Sequence, residues 1–234
     1  MFSMLRRDIE AALKNDPAAR RPLEVLLAYP GVHALWLHRV AHKLWNRKLN
    51  LTARLVSHQA RFITGVEIHP GAQIADGVFI DPGMGVVIGE TALIETGCII
   101  YKGVVLGGTS IERKQRHPHL QRNVTVGSNA CVLGAIVIGE GARIGSGSVV
   151  ISDVPAGATV VGVPGRIVRS GPAPHDTLDH ASLPDPVADV LRALTSQQEL
   201  LVERLGRLEK ALRLGRAEEP APEADPRRRA GSIF

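Results

Sequence analysis

The sequence predicts an α+β protein in which a helical cap precedes a parallel β-helix of about five turns. A heptad helix and a disordered tail follow. The main observation is that an aliphatic residue returns at every sixth position between residues 66 and 164, with glycines between. A period of six fits neither an amphipathic helix, which repeats near 3.6 residues, nor a single alternating strand, which repeats near 2. It is typical of a coil of short strands.

The repeat falls into three series. They are Ile68, Ile74, Ile80 and Val86; then Ile88, Ile94, Ile100 and Leu106, shifted by two; then Val126, Val132, Ile138, Ile144 and Val150. If three hexapeptides form one triangular turn, each aliphatic side chain points inward and stacks on its equivalent about eighteen residues later. A glycine-rich sandwich would instead need alternating apolar faces and variable turns. The β-helix is expected to occupy residues 66–169.

The helical cap is expected to occupy residues 1–65. Helical segments are expected at 3–14, 22–28, 32–45 and 51–63, with Pro22 opening the second and Gly65 closing the fourth. His38 and His42 stand four residues apart on one helical face, a spacing that could bind a metal. No acidic or cysteine ligand completes such a site nearby, so we interpret them as surface or packing histidines and predict no metal.

The six-residue period breaks between Leu106 and Val126, where the stretch 107–119 cannot supply inward aliphatic residues. A loop of about thirteen residues is therefore expected to leave the coil here, and such excursions often carry function. Its cations and its histidines, His117 and His119, suit anion binding or proton transfer. The alternative is a solvated insertion without a task.

Residues 170–186 read as a linker and 217–234 as a disordered tail. Between them, residues 187–216 predict a coiled-coil helix with a heptad pattern. Its members are Val187, Leu191, Leu194, Gln198, Leu201, Leu205, Leu208 and Leu212. The helix is expected to self-associate, or else to pack back on the coil. The last two residues, Ile233 and Phe234, could dock in a partner's groove or have no role.

Composition narrows the function classes. The formal net charge of +5 invites a nucleic-acid interpretation, but basic residues are spread out and aromatic residues make up only 3%. A net positive charge also suits the binding of a multiply anionic cofactor. Cys98 and Cys131 lack metal-ligand spacing and are expected to be free thiols. Neither a signal peptide nor a membrane-length apolar run is present, so we expect a soluble, cytoplasmic protein.

Several segments carry a family resemblance: GVEIHPGAQI, IDPGMGVVIGETA, GVVLGGT, the loop ending in KQRHP, and VGVPGRIV. Together with the cap they resemble bacterial serine O-acetyltransferases of the hexapeptide-repeat, left-handed β-helix class, from about residue 5 to residue 169. The resemblance implies a left-handed coil that binds acetyl-CoA between adjacent coils and serine at the same interface. It also implies a homotrimer, or two trimers joined through the caps, acting in cysteine biosynthesis.

The resemblance carries over to individual residues. It implies that Asp81, Arg116 and His117 contact serine, with Asp16 of the cap reaching in. For CoA it implies a larger set of backbone and small side-chain contacts, with one arginine near the phosphates. These are Gly107, Gly108, Ser128, Ala130, Gly145, Ser146 and Arg166.

Two positions depart from the family pattern. Where the family has Asp-His, this chain has Asp81-Pro82, and that histidine is the family's general base. The aspartate that supports it is here Glu67. A positioned base is typically worth about 10² to 10⁴-fold in rate. We predict His117 as the substitute base, with His69 second, and count Asp81 and Glu67 among the catalytic residues.

These observations predict a CoA-dependent acetyltransferase that makes O-acetyl-L-serine. Two alternatives remain at this point. One is a catalytically weakened paralogue that binds cysteine synthase through its C-terminal tail. The other is an acetyltransferase for a different hydroxyl acceptor.

Overall fold

The computed structural model describes residues 2–169 and 186–217. The chain divides into two compact units between residues 185 and 186. The predicted linker and tail lie outside the described residues, except for Pro186 and Ala217 at their edges. The apolar tip formed by Ile233 and Phe234 lies outside them as well.

Four helices form the N-terminal cap, as predicted. They are α1 (Phe2–Asn15), α2 (Pro22–Ala28), α3 (Pro30–Asn46) and α4 (Asn50–Thr64). Prolines occupy the first turns of α2 and α3, where a missing N–H costs no helical hydrogen bond. Gly65 ends α4 with a φ of 73°, a left-handed conformation that glycine adopts without a steric penalty.

Strands then wind through three sheets in rotation. Sheet A contains β1 (Glu67–Ile68), β4 (Val87–Ile88), β7 (Val105–Gly107), β10 (Cys131–Leu133) and β13 (Val149–Val150). Sheet B contains β2 (Gln73–Ile74), β5 (Leu93–Ile94), β8 (His119–Leu120) and β11 (Val137–Ile138). Sheet C contains β3 (Phe79–Asp81), β6 (Ile99–Tyr101), β9 (Thr125–Val126), β12 (Arg143–Ile144), β14 (Thr159–Val161) and β15 (Arg166–Arg169).

The predicted β-helix and its aliphatic core are confirmed. All strand pairs are parallel and in register, apart from the antiparallel β14–β15 pair at the end. The inward residues of sheet A stack in one column from Ile68 through Leu106 to Val150, and each is at most 4% exposed. Equivalent columns line sheets B and C, so the prism is filled mainly by aliphatic side chains, with Cys98 among them.

One corner of the first turn explains the shift between the first two series. Ile80 and Ile88 are eight residues apart, whereas their equivalents one turn later, Ile100 and Leu106, are six apart. The corner that follows Asp81 therefore holds two extra residues. It is the corner that departs from the family pattern at residue 82.

The predicted excursion is also present, but it is shorter than expected. It runs from residue 108 to residue 118, because His119 already belongs to β8 and pairs with Leu93 of sheet B. Leu120 then points inward and is fully buried. The prediction that residue 119 lies in the loop was wrong because a polar outward residue and an inward leucine make a normal two-residue strand.

A buried ion pair joins the cap to the coil. The side chain of Asp8, on α1, is fully buried and accepts two hydrogen bonds from Arg39 of α3. The same carboxylate accepts the backbone N–H of Gly77, at a corner of the β-helix, at 3.0 Å. One aspartate thus ties two cap helices to the first turn, and its charge is satisfied by three donors.

The described part of the second unit is a helix, α5 (Pro186–Ala217), as the heptad pattern predicts. Its side chains between residues 190 and 210 are exposed in the isolated chain. Among the described residues, no helix combines the length and apolar character needed to cross a membrane. Self-association of α5 stays a prediction at this point.

The burial of His38 makes the stability of the fold depend on pH. The ring is 4% exposed, and burial followed by the nearby His42 lowers its pKa from 6.5 to about 3. Its Nδ1 has no hydrogen-bond partner within the described part of the chain. Since the unfolded chain takes up a proton near pH 6.5 and the folded chain does not, stability is complete above pH 6.5 and falls towards pH 3.

We expect this histidine to lower the free energy of unfolding by about 2 kcal/mol when the pH falls from 8 to 5. Chemical denaturation of the wild type and His38→Leu at both pH values measures it. The difference between the two proteins should shift by this amount in favour of the variant at pH 5. An equal loss in both proteins would contradict a neutral, buried His38.

Candidate active site

The predicted site residues gather at two corners of the prism, on opposite edges of sheet A. Asp81 and Pro82 lie where the chain passes from sheet C to sheet A, and we call this the CA corner. Arg116 and His117 lie where it passes from sheet A to sheet B, which we call the AB corner. Within one chain, the width of sheet A separates these two groups.

The CA corner presents carboxylates and phenols. Asp81 pairs in register with Tyr101 of the next turn, and Asp16 of the cap is close enough to influence its charge. The hydroxyl of Tyr29 donates a hydrogen bond to Asp16 Oδ2. Asp16 also accepts the backbone N–H of Ala18 at 2.8 Å, which fixes the turn after α1.

Burial, and then the negative charge of Asp16, raises the pKa of Asp81 above its usual range. Burial, followed by its hydrogen bond to Asp16, also raises the pKa of Tyr29. Burial and then Asp81 raise the pKa of Tyr101. Two neighbouring carboxylates with few compensating charges favour a bound cation, because a cation relieves their repulsion.

Glu67 lies at the same edge of sheet A as the CA corner. It opens β1 beside Val87 of the next turn, and its backbone N–H donates to Val86 O at 2.8 Å. Its carboxylate is 3.4 Å from Arg61 Nη1. Pro82 is exposed, so its ring is not part of the core.

Thr91 organises the AB corner. Its Oγ1 accepts the backbone N–H groups of Arg116 and His117, at 3.0 and 3.2 Å. The Gln115 side chain donates to the carbonyl oxygens of Thr91 and His117, at 2.6 and 2.8 Å. The end of the excursion is thus attached to the coil by three of these hydrogen bonds, all to one threonine.

Two further contacts with Thr91 set the tautomer of His117. Its Nδ1 lies 3.2 Å from the backbone N–H of Thr91 and 2.8 Å from Thr91 Oγ1. A backbone N–H can only donate, and Oγ1 already accepts two N–H groups, so Nδ1 acts as the acceptor. A neutral ring therefore carries its proton on Nε2.

The His117 ring is packed tightly into the corner and is 7% exposed. A Cβ at Gly89 would lie 2.1 Å from Nε2, so only glycine leaves room for the ring at that position. Burial, and then the positive charge of Arg116, lowers the pKa of His117. The ring is therefore neutral near pH 7 and presents Nε2–H as a donor.

Arg116 supplies the positive charge of this corner. Its Nη2 is 2.7 Å from Glu90 Oε2, and its Nη1 donates to Glu112 O at 3.2 Å. These contacts hold the guanidinium beside His117 while its side chain remains 23% exposed. An oriented guanidinium of this kind suits a carboxylate ligand.

His69, the second candidate base, belongs to the AB corner too. Its Nδ1 accepts the backbone N–H of Gly71 at 3.0 Å, and its ring meets the edge of Trp45 at 5.0 Å. Burial, and then Arg54, lowers its pKa. His69 and His117 are therefore both on the opposite side of sheet A from Asp81.

The predicted CoA contacts divide between the same two corners. Gly107 and Gly108 lie at the AB corner, while Ser128, Gly145, Ser146 and Arg166 lie along the CA edge. The Ala130 side chain is fully buried in the core, so the predicted contact of this residue with CoA stays a prediction for its backbone. Its carbonyl oxygen already accepts Val105 N, and its N–H donates to Gly127 O.

No separate role was predicted for Glu90, Thr91 and Gln115, although they hold Arg116 and His117 in place. The first two stand inside the segment IDPGMGVVIGETA, so the signal was present, but only the fold brings them beside the excursion. No group of three histidine, cysteine, aspartate or glutamate side chains in residues 2–169 and 186–217 is placed to hold a metal.

Comparison with known proteins agrees with the family resemblance seen in the sequence. The family described as bacterial transferase hexapeptide (six repeats) matches residues 117–152. A serine acetyltransferase from Synechococcus elongatus is 53% identical over 205 residues, which are 88% of this chain and 84% of that protein.

Solved structures agree with this relationship. The Neisseria gonorrhoeae serine acetyltransferase in complex with serine is 39% identical, with a TM-score of 0.70, covering 72% of this chain and 69% of that one. A serine acetyltransferase in complex with CoA is 40% identical, with a TM-score of 0.68, covering 71% and 69%. Sequence and fold together establish that this chain belongs to the serine acetyltransferase family.

Proposed function

We propose that the protein transfers the acetyl group of acetyl-CoA to the hydroxyl of L-serine, giving O-acetyl-L-serine and CoA. An ester bond forms at the serine oxygen, the thioester C–S bond breaks, and the hydroxyl proton ends on the CoA thiol. Relatives of about 50% identity are serine acetyltransferases, and related structures hold serine or CoA. The observation that carries the proposal is the pair of complementary corners, one anionic and one cationic, on the edges of sheet A.

These charges match the two ends of serine. Asp81 and Asp16 would hold the ammonium group, since their mutual repulsion is relieved by a cation. Arg116, oriented by Glu90, would hold the carboxylate. The glycines and serines at the corners leave space for the pantetheine arm of CoA, with Arg166 towards its phosphates.

Because the two corners of one chain are separated by sheet A, we propose that a site is built from two copies. The CA corner of one subunit would face the AB corner of its neighbour, and repetition around a threefold axis closes a homotrimer. Pairing of two trimers through the caps, a cytoplasmic location and a role in cysteine biosynthesis stay predictions. Binding of cysteine synthase stays one too, since the tail lies outside the described residues.

The sequence predicts His117 as the base, yet its hydrogen bonds support a different part in the reaction. With Nδ1 accepting from Thr91, the neutral ring donates from Nε2 and has no free lone pair. A donor placed here would stabilise the negative charge that develops on the acetyl oxygen. We therefore propose His117 as an electrophilic donor, which leaves the proton acceptor at the CA corner open.

Complementation tests the shared site. Asp81→Ala and Arg116→Ala should each lose serine acetylation, but trimers that contain both variants should recover about one site in three, because one of their three interfaces combines the two intact corners. Co-expression with two affinity tags, followed by a CoA-thiol release assay, measures this. If the mixture is no more active than either variant alone, the two corners act within one chain or not at all.

Substitution of His117 separates the donor from the base. His117→Gln keeps an N–H near the Nε2 position but cannot take up a proton. We expect it to retain kcat within about tenfold, whereas His117→Ala loses about 10²-fold. Steady-state kinetics of both variants provide the comparison. Equal loss in both would return His117 to the role of general base.

Restoring the family's histidine tests the CA corner. Pro82 is exposed, so histidine can replace it without entering the core. We expect Pro82→His to raise kcat with serine by about 10²-fold, since a positioned base is typically worth that much or more. Pro82→Ala, which adds no base, is the matched control. No gain over the control would mean that another group already removes the proton efficiently.

A further inference from the structure

We propose that α5 forms a parallel, three-stranded coiled coil with the same helix of two other copies of this chain. The helix has 32 residues, and it carries a row of large apolar side chains, interrupted at Gln198, that are exposed in the single chain. The number of strands rests on the homotrimer of the proposed function.

The apolar row follows the two positions of a heptad that face a partner. The a positions are Leu191, Gln198, Leu205 and Leu212, and the d positions are Val187, Leu194, Leu201 and Leu208. The leucines at 191, 194, 201, 205 and 208 are 55% to 59% exposed in the single chain. Burying such a row against copies of itself is the simplest way to remove it from water.

The positions beside this row favour more than two strands. Val190 stands at a g position and Val202 at an e position, and they are 56% and 62% exposed. In a two-stranded coil these positions border solvent and usually carry charge. Apolar side chains there widen the buried face, as expected for a helix in a larger bundle. Leucine rather than a β-branched residue at the a positions also does not select a dimer.

Charge complementarity sets the direction of the strands. Arg204, at a g position, comes five residues before Glu209, at an e position. In a parallel coil, a g residue of one strand meets the e residue of the next heptad on its neighbour. Each Arg204 would then face a Glu209 of another copy. Within the chain, Glu203 is already paired with Arg207 at 2.6 Å and lies outside the row.

One polar layer fixes the register. Gln198 is the polar exception among the a positions, and in a parallel, in-register bundle three copies would meet and share hydrogen bonds. A shift by one heptad would place each glutamine against leucine and leave its amide unsatisfied. A polar residue at one a position costs stability and specifies alignment.

Disulfide trapping in the full chain tests direction and partner. Leu208→Cys places a thiol in the row near the end of α5, and Lys210→Cys places one on the opposite face. In a parallel bundle, Leu208→Cys should cross-link to itself in a glutathione redox buffer about tenfold or more faster than Lys210→Cys. In an antiparallel pair, residue 208 would lie against residue 191, so Leu208→Cys would not cross-link to itself faster than Lys210→Cys. If α5 packed against the β-helix of its own chain, the introduced thiols of two copies would stay apart and neither variant would cross-link rapidly.

A matched pair of neighbouring leucines tests the row itself. Leu200 and Leu201 are similarly exposed in the single chain, at 62% and 58%, but only Leu201 belongs to the row. Leu201→Asp should speed tryptic cleavage at Arg204 and Arg207 about tenfold or more, whereas Leu200→Asp should leave it near the wild-type rate. Mass spectrometry of the fragments locates the cuts.

Equal cross-linking at residues 208 and 210, or equal cleavage of the two aspartate variants, would overturn the proposal. A two-chain mass from light scattering of the wild type would overturn the three-stranded form. Acetyl transfer by the reduced Leu208→Cys protein is assayed in parallel. An active enzyme that does not cross-link contradicts only the coiled coil, and a cross-linked but inactive one contradicts only the proposed function.

Discussion

The stacking of aliphatic side chains in register is the constraint on which this structure depends. Each inward residue rests on its equivalent one turn below, as Ile88 rests on Ile68 and Leu106 on Ile88, and almost no water reaches them. The narrow prism therefore cannot shift one strand without displacing every turn above it. Only the corners can vary in length, because they lie outside the column. The two corners that are longer than the six-residue period hold the polar groups: two extra residues follow Asp81, and eleven residues leave the coil before His119.

Polar contacts then fix these corners against the coil. Asp8 ties the cap to the first turn through Arg39 and Gly77, and this brings Asp16, at the end of α1, to the Asp81 corner. Thr91 does the same for the excursion, since it holds both the backbone and the ring of His117. In both places a polar side chain of the scaffold positions a charged or titratable group. Substitution of Asp8 or Thr91 would therefore disturb the site without touching a substrate.

Much of the fold could be predicted from the sequence, because a six-residue period has few physical explanations. The aliphatic columns, the four cap helices and the excursion all follow from spacing and from proline and glycine positions. The site was less predictable. Arg116 and His117 are visible in a motif, but the hydrogen bonds that set the His117 tautomer come from Thr91, 26 residues earlier. Burial of Ala130 depends on which side of a short strand it faces, which a small residue does not reveal. The separation of Asp81 from His117 follows only from the order of the sheets.

In the proposed site, that separation makes assembly part of the chemistry. A chain whose anionic and cationic corners lie on opposite edges of sheet A cannot bring both to one small zwitterion. A neighbouring copy in cyclic symmetry can, since each interface then joins one corner of each kind. Activity would depend on the concentration of assembled protein, and any contact that holds copies together would stabilise the site. The apolar row of α5 belongs to a different unit from the β-helix, yet in the proposed trimer a three-stranded coil would raise the effective concentration of the interfaces. Selection for catalysis can thus act on residues such as Leu201 and Gln198, which never meet the substrate.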